Sequence, residues 1–139
     1  MKIDKAGLEF IESLEGYRSK PYQDTKGIWT IGIGSTMIDG KPVTKDTPAI
    51  TREKALELLG SYIDKICAPR LQGLKLNQNQ YNALCSFIYN IGGAGFDSST
   101  AFRLLKEGKY TLVPDAMMLW IKPAVLIGRR TKEANLFRK

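Results

Sequence analysis

Three side chains in EGYRSKPYQDTKGIWT, residues 15–30, could together do acid–base chemistry: Glu15, Asp24 and Thr30. The chain contains no histidine. That removes the usual general base, the Ser/His/Asp triad and the Cys/His pair, so catalysis falls to carboxyls, lysine, tyrosine or hydroxyls. A glycosidase needs one protonated carboxyl beside the scissile bond and a second carboxylate that attacks or activates water. Glu15 suits the first role, Asp24 the second, and the Thr30 hydroxyl can help hold the water.

The elements that must position these residues follow from pattern. Leu8, Ile11 and Leu14 recur at helical spacing between Asp4, an N-cap residue, and Gly16, a stop. Glu15 falls on the face of Leu8 and Ile11 at that helix's end, a carboxyl where the repeat asks for an apolar residue. Partial desolvation and the negative end of the helix dipole there would favour its proton-donating form. YQDTKG is a turn, and IWTIGI alternates as a strand in which Thr30 shares a face with Ile28 and Gly32, where a missing side chain leaves room for a ligand. A long helix is expected from Thr51 to about Pro69. Another runs through NQNQYNALCSFIYNI to the stop at Gly92 and Gly93, and further helices are expected at about 98–107, 112–120 and 130–137, with IKPAVLIG as a loop.

Composition bounds the rest. A chain of 139 residues with 43% hydrophobic and 25% charged residues is a globular domain. No apolar run approaches a membrane span, and acidic residues interrupt the first eighteen residues too often for a secretory signal. Cys67 and Cys85 read as small core hydrophobes; without histidine there is no zinc set, and neither metal nor cofactor is expected. Residues 100–139 carry nine basic and three acidic side chains, a face suited to an anionic polymer. No base-reading motif accompanies them, so nucleic acid is not expected as a partner.

The spacing of Glu15, Asp24 and Thr30 resembles the catalytic signature of phage-type lysozymes, the endolysins of glycoside hydrolase family 24. Gly16, Arg18, Tyr22, Gly27, Ile31, Gly32 and Gly34 extend the match; Asn79 to Thr100 and GRRTKE at 128–133 resemble later family elements. The resemblance implies an α+β, mainly α, two-lobed lysozyme-like fold in one domain over 1–139. Its parts would be a small lobe with a sheet at about 15–50, a bridging helix at about 51–68, and a helical lobe at about 70–139 on which helix 1 packs.

It further implies hydrolysis of the β-1,4 bond between N-acetylmuramic acid and N-acetylglucosamine in peptidoglycan. Glu15 would be the general acid, with Asp24 and Thr30 positioning water. Tyr89, Asn90 and Gly32 are candidate substrate-binding residues, and Arg129 and Arg130 candidate partners of Glu15. The alternatives are a lytic transglycosylase and a noncatalytic peptidoglycan-binding module. A monomer is expected that waits in the host cytoplasm, without stable membrane insertion, and reaches the wall in the periplasm through a holin. Ser35 stands where many family members carry histidine, so a contact made by that side chain is missing or replaced.

Overall fold

The computed structural model describes residues 1–139. It is mainly helical with two small sheets, and the chain divides into two compact units, Leu8–Tyr62 and Met1–Gly7 with Ile63–Lys139. The elements run α1 (Lys5–Glu15), β1 (Arg18–Gln23), β2 (Trp29–Gly32), β3 (Met37–Ile38), β4 (Lys41–Pro42), α2 (Arg52–Leu71), α3 (Gln78–Ile91), α4 (Gly93–Asp97), α5 (Thr100–Lys106), α6 (Val113–Met117) and α7 (Leu126–Arg138). A 3-10 turn, Tyr110–Leu112, precedes α6. Both α1 and α2 straddle the division between the units.

Helix starts are set by side chains that satisfy the first backbone donors. The Asp4 carboxylate accepts from Gly7 N at 2.9 Å, and Thr51 Oγ1 accepts from Lys54 N at 3.1 Å. At α3, Asn77 and Gln80 form a reciprocal capping box, each side chain accepting the other's amide. α1 stops because Gly16 takes φ +81°, with its N–H donating to Glu12 O at 2.7 Å.

The smaller unit closes over Ile11, Ile31, Ile33, Val43, Ala55 and Leu59, all buried. Its first sheet is the antiparallel pair β1–β2, with Tyr22 opposite Thr30 and Gln23 opposite Trp29. The register shifts between Arg18 and Tyr22. Pro21, which has no N–H to offer a ladder, lies within that irregular stretch. From within β2, Ile31 exchanges both backbone hydrogen bonds with Ser35, so Ser35 closes a tight reversal through its main chain.

The larger unit buries the inner faces of α3 and α7 among aromatic rings. Phe87 meets Phe96 and Trp120 edge-to-face at 6.2 and 6.3 Å. Cys67 and Cys85 are free thiols, fully buried, as their reading as core hydrophobes requires.

Several boundaries differ from the periodicity. α2 continues two residues past Pro69, which sits in the last turn, where the lost N–H costs one bond. Gly92 does end α3 at φ +87°, but the chain re-enters a helix at once as α4. α7 begins at Leu126, inside the segment expected to be a loop, just beyond Pro123.

Candidate active site

Glu15, Asp24 and Thr30 all lie in the Leu8–Tyr62 unit, on α1, in the β1–β2 turn and on β2. Glu15 is the last residue of α1, and Asp24 follows the last residue of β1, so the two carboxyls flank that strand at its two ends. Glu15 is exposed, where its place in the apolar repeat pointed to partial burial. The helix ends at Glu15, and Leu8 on the same face is itself only half-buried, so the packed stripe runs out before it reaches the carboxyl.

Asp24 is fixed by its own turn. Its Oδ1 accepts from Lys26 N at 2.8 Å and Ile28 N at 2.9 Å, while its main chain bonds Ile28 O and Gly27 N. This is the local side-chain-to-backbone bonding that makes aspartate a turn residue. Gly27, at φ +79°, permits the reversal. Thr30 is 4% exposed, and its hydroxyl donates to Ile28 O at 2.9 Å. With that hydrogen committed, the oxygen can only accept from a further partner.

Tyr22 joins the set through contacts that spacing alone does not specify. It pairs across the sheet with Thr30, and the Arg18 guanidinium lies 4.2 Å from its ring centroid. Burial raises the Tyr22 phenol above its ordinary pKa; Arg18 opposes this, and the negative charges of Glu15 and Asp24 add to it. One phenol therefore senses both carboxyls. Along β1 a concavity of about 400 Å³ is lined by Tyr17 through Tyr22. Tyr17 Oη donates to Ile50 O at 2.6 Å and Ile50 N donates to Ser19 O at 2.9 Å, which pins the strand.

Gly32 corrects an expectation. Its φ is +67°, and a Cβ placed there would meet the Ala55 Cβ at 3.0 Å and Ile50 Cδ1 at 3.2 Å. The space left by its missing side chain is filled by Ala55 of α2 and by Ile50 before it, so the room for a ligand expected beside Thr30 is not there.

The remaining expected residues lie in the larger unit. Arg130 is fully buried. Its Nε donates to Trp120 O at 2.8 Å, Nη1 to Glu133, and Nη2 to Asn90 Oδ1 at 2.5 Å. Arg129 Nε donates to Glu133 Oε2 at 3.1 Å and Nη2 to Ser86 O at 3.1 Å; Ser86 Oγ also donates to Glu133. Since a guanidinium only donates, the Asn90 oxygen must be the atom facing Arg130, and its two N–H donors point elsewhere. Tyr89, next to it, is half-buried. Ser86 and Glu133 lie in the segments that carry the family resemblance but have no individual role there, although Arg130, Glu133, Ala134 and Phe137 at i, i+3, i+4 and i+7 mark one buried helical face.

Comparison with known proteins bears on the whole chain. The profile described as Phage lysozyme matches residues 12–133. The chain belongs to the phage lysozyme family. Like other phage lysozymes, it is a lysozyme-type glycoside hydrolase of muramidase type that acts on the peptidoglycan of the cell wall. It is 41% identical to the endolysin of Salmonella phage P22, over 99% of this chain and 98% of that one. The crystal structure of a P22 lysozyme mutant superposes with a TM-score of 0.90 at 39% identity, covering 100% of this chain and 99% of the other. The muramidase domain of SpmX from Asticaccaulis excentricus reaches a TM-score of 0.83 at 34% identity, covering 99% of this chain and 98% of that one. The lysozyme-like α+β fold expected from the sequence is thus the fold observed. No helix is long and apolar enough to cross a membrane.

Proposed function

We propose that this phage lysozyme hydrolyses the β-1,4 bond between N-acetylmuramic acid and N-acetylglucosamine, with Glu15 as general acid and Asp24 and Thr30 holding the attacking water. The observation that supports the reading is the placement of Glu15 just before β1 and Asp24 just after it, with Thr30 on the paired strand β2.

The hydrogen-bonding state of Thr30 gives the water its orientation. Its hydroxyl hydrogen is spent on Ile28 O, so toward water it is an acceptor. Asp24 is the second acceptor. A water that donates one hydrogen to each keeps its lone pairs free for the anomeric carbon, while Glu15 delivers a proton to the leaving oxygen. Water entering opposite the leaving group gives inversion, which requires carboxyl groups far enough apart to admit it. Asn90, its oxygen held by Arg130, offers amide hydrogens that suit an acetamido carbonyl of the substrate, and Tyr89 offers a ring and a hydroxyl beside it.

Replacing Glu15 with Gln should lower turnover on purified peptidoglycan by roughly 10²–10⁴-fold with the circular dichroism spectrum unchanged, the usual weight of a general acid. Near-normal lysis by Glu15→Gln would remove the assignment. Products from the wild type should end in reducing muramic acid; anhydro ends would mean the transglycosylase reaction instead. We further propose that the protein acts as a monomer and depends on a holin to reach the periplasmic face of the wall. Lysis of intact cells from within should then require a membrane lesion.

A further inference from the structure

The larger unit has a concavity of about 500 Å³, and two of the residues that line it, Asp64 and Tyr81, each carry a buried polar atom with no hydrogen-bond partner. Met1, the second half of α2, the 72–77 loop and the first turn of α3 form it, with Asp64, Lys65, Pro69, Gln72, Leu74 and Tyr81 among its lining residues. Tyr81 is 3% exposed, yet its hydroxyl has no hydrogen-bond partner. The Oδ1 of Asp64 is likewise buried and unpaired. Buried polar atoms are paired as a rule, so two orphans on residues that line one concavity single it out as a place where a ligand could supply the partners.

The chemistry of the two groups specifies that ligand. Burial, first, raises the Tyr81 phenol far above its ordinary pKa, and the neighbouring Cys85, Cys67 and Asp64 add to this, so it remains an O–H donor at any pH the protein meets. A carboxylate only accepts. A hydroxyl satisfies both at once, donating to Asp64 and accepting from Tyr81. Lys65 and Gln72, both exposed, give further donors for a ligand with several hydroxyls, while Pro69 and Leu74 match the C–H faces of a sugar ring. The volume falls in the range of small-ligand sites and exceeds what one water needs.

We propose that this concavity is an accessory saccharide site, separate from the Glu15 and Asp24 set, that holds a sugar of the wall glycan. The identity of the natural saccharide rests on the peptidoglycan reading; the binding itself does not. A second hold on the glycan raises the local concentration of substrate between cuts without entering the chemistry.

The test is a titration of the 15N-labelled full chain with N-acetylglucosamine, following backbone amides of residues 63–81. Saturable shifts should appear there, and Tyr81→Phe and Asp64→Ala should each weaken the binding roughly tenfold, the effect of losing one hydrogen bond to the ligand. Tyr81→Phe removes an oxygen that bonds nothing in the protein, so the fold should persist; Asp64→Ala gives an independent reading. Glu15→Gln should leave these shifts unchanged. No saturable shift at 63–81, wild-type affinity in both variants, or equal affinity for methylcyclohexane, which has the ring but no hydroxyl, would overturn the proposal. If Glu15→Gln lyses walls normally while the sugar still binds at 63–81, the catalytic assignment fails and this site stands.

Discussion

The ion pair beneath Asn90 makes a demanding prediction. Glu133 is 0% exposed and accepts hydrogen bonds from Ser86, Arg129 and Arg130. Arg130 is also 0% exposed, and without Glu133 its charge would face only Trp120 O, Asn90 Oδ1 and, at 5.1 Å, the Phe87 ring. Glu133→Ala therefore leaves a cation buried without a counter-charge, which costs about 3–5 kcal/mol; an exposed pair would be worth roughly 0–1 kcal/mol. At about 2.1 cal/mol/K of unfolding entropy per residue, the loss lowers the thermal midpoint by roughly 10–17 °C. Circular dichroism melts of wild type and Glu133→Ala measure it. Replacing both charges together, Arg130→Met with Glu133→Leu, should cost less than the two single changes added, because neither charge is then stranded. A drop of less than about 3 °C for Glu133→Ala, which is near 1 kcal/mol, would mean that the pair is solvated.

Two other predictions test the framework around β1. Gly32→Ala adds a Cβ at φ +67°, within 3.0 Å of Ala55, and should destabilise by about 2–4 kcal/mol in urea unfolding. Unchanged stability would show that α2 yields there. Arg52 donates to both oxygens of Glu12, at 2.7 and 2.6 Å, and that bonding lowers the Glu12 pKa. A lowered carboxyl pKa stabilises fully above the ordinary glutamate value and is lost as pH falls through the folded value. The stability gap between wild type and Arg52→Gln should therefore be present at neutral pH and shrink as the pH falls from about 5 to about 3. An equal gap at both ends would refute the linkage.

Much of this was legible because it is local. Asp4 and Gly16 bracket α1 by the bonds that their types suggest, and the turn at Asp24 is written in DTKG. What needs partners distant in sequence was not. The room expected beside Thr30 vanishes because residues 50 and 55, far along the chain, fill it. The role of Tyr22 rests on its register opposite Thr30, which an irregular strand sets. The orphaned Tyr81 hydroxyl resembles ordinary helix core in the sequence, since an aromatic at helical spacing says nothing of where its oxygen ends.

One pattern had two outcomes, and the difference is physical. Glu15 and Glu133 both interrupt an apolar helical repeat. At the end of α1 the stripe has run out, and the carboxyl stays exposed. In the middle of α7 the helix cannot turn Glu133 away from the core, so burial must be compensated. Arg130, three residues earlier on the same face, does so. A charge on an apolar face that is matched by its opposite at i±3 or i±4 therefore reads as a structural pair. Glu15, at a helix terminus, has Glu12 and Ile11 at i−3 and i−4, so no cation of its own helix matches it there, and the position differs from the internal pair of α7.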